Sequence, residues 1–313
     1  MPSSIKPSYL LHKLKSNLFT IGFFIPAFLY LVSFFVIILV FLLKFSFSEG
    51  IPFLQLLSAN EFKAALWRTF WFMGVGTPLQ LVVGLLLALL IQQSFRGVGM
   101  VRSFFMVPIA IPALVTAIIL DLLFSYPFGP INDLLLGRHG FFPQIVSVPI
   151  NWSGSEFLSL GLAILGKTWR DMPISMLILL AGLQTIEKEQ YEAARTMGAK
   201  TWQEFKYLTL PLLTPAILTI LILRSIENWK EFVFPFILAP AYPLLGVLIE
   251  RLYHVEQNPA LAASVALCLV ALIGITTLVF TLITKMVRKY LVRVYCLSPL
   301  SPPLHSMERG PGG

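Results

Sequence analysis

Charge is what this sequence has least of. Of its 313 residues only 12% are Asp, Glu, Lys or Arg, while 57% are hydrophobic; soluble domains carry about 25% charged residues. So few charges could not cover a soluble protein's apolar interior, and the surplus apolar surface calls for lipid as its solvent. Cysteine is nearly missing: Cys268 and Cys296 form no C-x-x-C pair, so no disulfide framework can be argued. His12, His139, His254 and His305 are scattered, without an H-E-x-x-H pair or a cysteine at metal-ligand spacing. No G-x-S-x-G elbow occurs. Glu156, Asp171, Glu227 and Glu231 carry acid–base chemistry in principle, but nothing in the sequence pairs them on a defined face. A membrane enzyme is therefore a remote reading. No internal repeat of fixed period is visible.

What the sequence has is long apolar runs. Six are long enough to span a bilayer: about 20–43, 69–92, 104–124, 157–186, 212–238 and 260–284. The first, Ile21 to Leu43, exceeds a signal-peptide core and ends Phe41-Leu42-Leu43-Lys44 without a small-x-small cleavage site, so it reads as a retained helix. Lys and Arg outnumber Asp and Glu, 23 to 15, yet they sit at the ends of apolar runs. They read as membrane-flanking charge, not as a nucleic-acid surface. Placing the N-terminus in the cytoplasm puts 14 basic residues on cytoplasmic segments and 5 outside, the bias expected of cytoplasmic loops. Six spans return the C-terminus to the same side. The expected organisation is an all-α polytopic membrane protein. It has a cytoplasmic segment 1–19, a transmembrane domain 20–290 and a tail 291–313. The tail's Pro- and Gly-rich part, from 296 on, reads as disordered.

Pro26, Pro78, Pro108, Pro112, Pro173 and Pro235 interrupt these runs. Each removes a backbone donor and bends its helix. Such breaks persist in lipid where neighbouring helices or a wet cavity satisfy the freed carbonyls.

The segment 187–211, between the fourth and fifth runs, reads as two short helices and a turn. Gly198 stands where the first should stop, and Thr201 with Glu204 forms a T-x-x-E capping box for the second. Ala193 and Ala194 leave a bare helix face, and Trp202, Phe205 and Tyr207 are aromatics of the kind enriched at interfaces. The pattern suits a docking plug. Two polar clusters interrupt the fourth and fifth runs: Lys167, Thr168, Trp169, Arg170 and Asp171, then Arg224, Glu227, Asn228, Trp229, Lys230 and Glu231. Ionisable residues inside membranes face the bundle interior and mark pathways. Trp169, Arg170, Asp171, Glu227, Asn228 and Trp229 supply the aromatic and hydrogen-bonding chemistry of sugar recognition. Ion pairing along the fifth helix, Glu227 with Arg224 or Lys230, is the plainer alternative. Gly161 to Thr168 matches the phosphate-loop pattern G-x-x-x-x-G-K-[ST] but lies in an apolar run with no α/β domain around it, so it reads as coincidence.

The 187–211 segment resembles the cytoplasmic signature of ABC-importer permeases: E-A-A, three residues, Gly, nine residues, then I-x-L-P. Here Glu192, Ala193, Ala194 and Gly198 are followed at that spacing by Leu208, Thr209, Leu210 and Pro211, with Leu208 in the Ile position and Met197 where an Asp is usual. Gly84–Leu90, Phe95-Arg96-Gly97, Val107–Pro112 and Gly129–Leu135 resemble the sugar-uptake branch of that family, of the maltose, lactose and glycerol-phosphate type. Asn228-Trp229-Lys230-Glu231-Phe232 is more similar to the partner permease of such systems. The resemblance implies a multi-pass subunit of a bacterial or archaeal plasma membrane. It implies a second permease subunit, two ATP-binding subunits that use ATP and Mg, and an extracytoplasmic solute-binding protein. This chain itself would bind no cofactor. Glu192, Ala193, Ala194, Gly198, Leu208, Leu210 and Pro211 would form the ATPase-coupling loop. The implied solute is a sugar; a polyamine, phosphate or compatible solute is the alternative, and a passive channel would leave the docking loop without a purpose.

Overall fold

The computed structural model describes residues 7–47, 56, 58–93, 95–138, 140 and 142–297, and every regular element among them is a helix. Five are long: α1 (Pro7–Ser46), α2 (Asn60–Gln92), α6 (Glu156–Gln184), α9 (Leu210–Trp229) and α12 (Pro259–Leu297). Between them lie α3 (Val98–Ala110), α4 (Ala113–Leu123), α5 (Pro130–Leu135), α7 (Lys188–Thr196), α8 (Thr201–Glu204), α10 (Val233–Leu238) and α11 (Leu245–Glu250). A π-helical turn, Phe205–Thr209, joins α8 to α9, and a second, Arg251–Val255, follows α11.

Among the described residues four stretches are long and apolar enough to cross a membrane: Phe24–Ser46, Asn60–Gln92, Thr201–Trp229 and Pro259–Val287. The α3–α4 pair makes a fifth when counted as one bent span. Helix α6, at 29 residues, has the length but carries Lys167, Arg170 and Asp171. Its place as the fourth expected span, 157–186, depends on how those charges are satisfied.

Two expected spans are not continuous. The third, 104–124, breaks at Ile111–Pro112 and bends by 94°. Ile111 is extended at φ −87, ψ 128, because a residue before proline is driven out of the helical region. The fifth, 212–238, stops at Trp229; the chain leaves the helix over Lys230–Phe232 and resumes as α10. Pro26, Pro78, Pro108, Pro173 and Pro235 all lie within helices that run past them. At the C-terminal end α12 continues to Leu297, so residues 291–297 of the expected tail are helical; the rest of the tail, and residues 1–6, lie outside the described residues.

Helix α2 packs along α6, and the pair forms the centre of the bundle. At Gly84 an added Cβ would lie 2.6 Å from the Cβ of Ser175 and 3.1 Å from its carbonyl carbon. Only glycine permits that approach, the usual role of small residues between membrane helices. Helix α9 crosses α2 and α12, and α4 with α10 closes against α6. Helix α1 packs on α12, tied by a Ser46–Ser264 hydroxyl hydrogen bond of 2.7 Å. Along Phe24–Ser46 most of its surface is exposed and apolar, as at Phe28, Phe35 and Phe41, which needs lipid or protein as cover.

Candidate functional site

The loop between α6 and α9 is a compact two-helix unit. Helix α7 ends in a Schellman motif: Ala199 N–H donates to Ala194 O at 3.0 Å and Gly198 N–H to Arg195 O at 2.9 Å. Gly198 adopts φ +81, the left-handed conformation expected of it from sequence. The capping box expected from Thr201 and Glu204 is not formed. The N-cap of α8 is one residue earlier than expected, at Lys200, whose N–H donates to Gln203 Oε1 at 2.8 Å. Glu204 is drawn away by Arg195 of α7, which donates to its carboxylate from Nε at 2.8 Å and Nη2 at 3.3 Å. That hydrogen bond and charge push the Arg195 guanidinium further above its ordinary value. Tyr191 and Thr209 share a hydroxyl hydrogen bond of 3.0 Å, so α7 is also tied to the π-helical turn that leads into α9.

On this frame Glu192, Ala193 and Gly198 are exposed, Ala194 and Leu208 half-buried, and Leu210 and Pro211 form the first turn of α9. Trp202 is 68% and Tyr207 66% exposed, a large apolar presentation for a polar loop. A groove of about 970 Å³ separates the unit from the end of α2, bordered by Leu89, Gln92, Tyr191, Arg195, Trp202 and Phe205.

The two polar clusters meet in space. Lys167 of α6 lies 3.0 Å from Asp171 and 2.6 Å from Glu231, which stands just past the end of α9. Arg224 of α9 reaches across to α6, donating from Nε to Ser175 Oγ at 3.0 Å and from Nη2 to Asp171 O at 3.1 Å. It also pairs with Glu227, one turn along its own helix, and approaches Asp171 at 3.5 Å. Arg170 donates to Asp171 at 2.8 Å. Glu231 accepts from the Phe234 N–H at 3.3 Å, which holds the chain where α9 gives way to α10. Burying these charges singly would cost several kcal/mol each, and mutual pairing is what makes them tolerable in an apolar bundle.

Beside this network is a chamber of about 360 Å³, open at one side and walled by the bent α3–α4 pair at Ile109 and Ala113. Arg170, Asp171 and Glu227 line it; Trp169, Asn228 and Trp229 do not. Trp169 is 44% exposed and Trp229 1%. Trp229 packs among Leu245, Leu248 and Val265, with its ring edge to Phe70. Asn228 turns to α2, donating to Thr77 Oγ1 at 2.9 Å and Gln80 Oε1 at 3.2 Å. Sequence reasoning missed Ser175, Thr77 and Gln80 as partners. Gln80, an amide inside an apolar run, was the one available signal.

Several apolar helices of membrane-spanning length around a buried ion-pair network define a polytopic membrane protein. The model of the family described as "Binding-protein-dependent transport system inner membrane component" matches residues 80–293. The chain is 33% identical over 192 residues to the trehalose/maltose transport system permease protein MalF of Thermococcus litoralis, covering 61% of this chain and 62% of that protein. It is 32% identical over 234 residues to the arabinooligosaccharides transport system permease protein AraP of Bacillus subtilis, covering 69% of this chain and 70% of that one. In fold it is similar to a chain of a bacterial alginate ABC transporter solved with an alginate pentasaccharide-bound periplasmic protein. The TM-score is 0.75 at 19% identity, over 90% of this chain and 98% of that one. The chain belongs to the family of binding-protein-dependent transport system inner-membrane components.

Proposed function

We propose that this chain is a transmembrane subunit of an ATP-driven importer that carries a sugar or sugar-like solute into the cytoplasm. In this reading α6 and the bent α3–α4 pair complete six spans, with both termini cytoplasmic. The complex contains a second permease subunit, two ATP-binding subunits that use ATP and Mg, and an extracytoplasmic solute-binding protein, in a bacterial or archaeal plasma membrane. The observation that carries the reading is mechanical continuity. The loop of α7 and α8 is internally pinned at Arg195–Glu204 and Tyr191–Thr209. It continues through the π-helical turn into α9, whose far end places Arg224 and Glu227 in the charged network. From Thr209 to Arg224 is about 22 Å of helix at 1.5 Å per residue. A displacement of the loop by an ATPase subunit would therefore move Arg224 and Glu231 against Lys167 and Asp171, and with them the wall of the chamber. Glu192, Ala193 and Ala194 present the face that such a subunit would grip. The sugar assignment is supported by the names of the maltose and arabino-oligosaccharide relatives.

The test is uptake by proteoliposomes holding the whole complex, with ATP enclosed and a panel of labelled sugars, polyamines and amino acids outside. Accumulation of a sugar that requires ATP is expected. Accumulation of only a non-sugar solute would refute the substrate class, and ATP-independent accumulation would refute the mechanism.

A further inference from the structure

A second cavity, of about 390 Å³, lies between the third and fourth turns of α2 and the first turns of α6, within the size range of small-molecule sites. Trp67 and Trp71, four residues apart, share one face of α2, and Phe157 of α6 stands edge-on to the Trp71 ring at 6.1 Å. Set among these rings is an ion pair, Arg68 with Glu156 at 3.1 Å, that bridges the two helices. The Arg68 guanidinium also lies over the Tyr242 ring at 5.4 Å from its centroid. The Nε of Arg68 is buried without a hydrogen-bond partner, whereas the Glu156 side chain is 45% exposed. The cavity thus offers flat apolar rings, an accessible acceptor and the guanidinium paired with it, with no net charge. An anionic phosphate would want a surplus of cations, and an alkyl chain would want no ion pair. A pyranose or furanose ring offers C–H faces for the rings and hydroxyls that both donate and accept.

The cavity is also in line with the charged chamber. Leu160 borders it, and Leu160, Ile164, Lys167 and Asp171 recur at helical spacing along one buried face of α6. From Leu160 to Asp171 is about 17 Å.

We propose that Trp67, Trp71, Arg68 and Glu156 form a carbohydrate-binding station at the extracytoplasmic end of α2 and α6, where a sugar ring docks before it reaches the charged chamber. This rests on the reading of the chain as a sugar permease. The closing experiment is uptake of radiolabelled maltose, trehalose and arabinotriose by proteoliposomes of the complete complex. Trp67→Leu, Trp71→Leu and the paired Arg68→Gln with Glu156→Gln variants are compared with the unmodified complex. Leucine keeps apolar volume without a π face, and the paired change leaves no lone charge. Stacking of this kind sets a KM increase of roughly 2- to 12-fold per tryptophan with kcat unchanged, and the paired variant shifts KM in the same direction. An unchanged KM in variants that assemble and turn over normally overturns the station while leaving the permease reading intact. So does a KM that follows replacement of zwitterionic by anionic lipid, which would mark a headgroup site. If any single variant fails to assemble, the other two decide the matter. An unmodified complex that carries no sugar while importing a non-sugar solute overturns the sugar assignment, and the station with it.

Discussion

Substitution of Gly198 tests whether the proposed coupling loop works through its backbone shape. At φ +81 the residue sits in the left-handed region, and a Cβ built there meets nothing within 4 Å. Crowding therefore contributes nothing, and the cost of a side chain is conformational. For alanine it is about 1–2 kcal/mol; a β-branched residue is a stronger outlier there, while asparagine adopts the region readily. Losing the conformation also breaks the bonds from Gly198 N–H to Arg195 O and from Ala199 N–H to Ala194 O, leaving α7 unterminated and turning its exposed Glu192–Ala193 face out of its present orientation. Uptake, and ATPase activity stimulated by loaded binding protein, should fall in the order Gly198→Asn, Gly198→Ala, Gly198→Val. The valine variant should lose nearly all of both while still assembling in the membrane. Equal uptake by the valine and asparagine variants would refute the reasoning. Uniform loss including asparagine would place the importance of Gly198 in a direct contact instead.

Three further outcomes follow from the packing. Lys167→Met leaves Asp171 and Glu231 facing each other without their shared cation, and should lower the stability of the complex by about 3–5 kcal/mol, read as a fall in the thermal midpoint of the purified complex in detergent. Asn228→Leu removes the hydrogen bonds to Thr77 and Gln80 and should cost about 0.5–2 kcal/mol; because Asn228 does not line the chamber, the KM for solute should stay unchanged. Arg195→Glu strands the buried Glu204 carboxylate beside a like charge and should uncouple ATP hydrolysis from uptake. Adding Glu204→Arg should restore part of the coupling, measured as solute moved per ATP hydrolysed.

Much of the bundle was legible because a membrane helix needs little beyond length and apolarity, and α1, α2 and α12 announce themselves in that way. Which of the prolines would break a helix was not legible. Pro112 and Pro173 are the same signal in the sequence, yet one ends a helix at 94° and the other sits within an unbroken α6. The difference lies in what packs around them, since α4 turns to meet α10 while α6 is held straight along α2. The loop was legible down to the left-handed glycine, which depends on local spacing alone. The capping box failed because Arg195, nine residues before Glu204, competes for the same carboxylate. In the charged network, the Arg224–Glu227 pair could be read from helical spacing, whereas Lys167–Glu231 depends on the register between α6 and α9. That register also sends Trp229 and Asn228 away from the chamber, although both are neighbours of residues that line it.

The central claim, that the loop between α6 and α9 engages an ATPase subunit, is tested most directly by cross-linking. A cysteine at exposed Ala193, carrying a photoreactive group, is irradiated in the assembled complex and the attached peptide identified by mass spectrometry. The account predicts a cross-link to a surface cleft of the ATP-binding subunit, formed from the cytoplasmic side. Attachment only to lipid or to the solute-binding protein, or labelling of that cysteine from outside the cell, would contradict it.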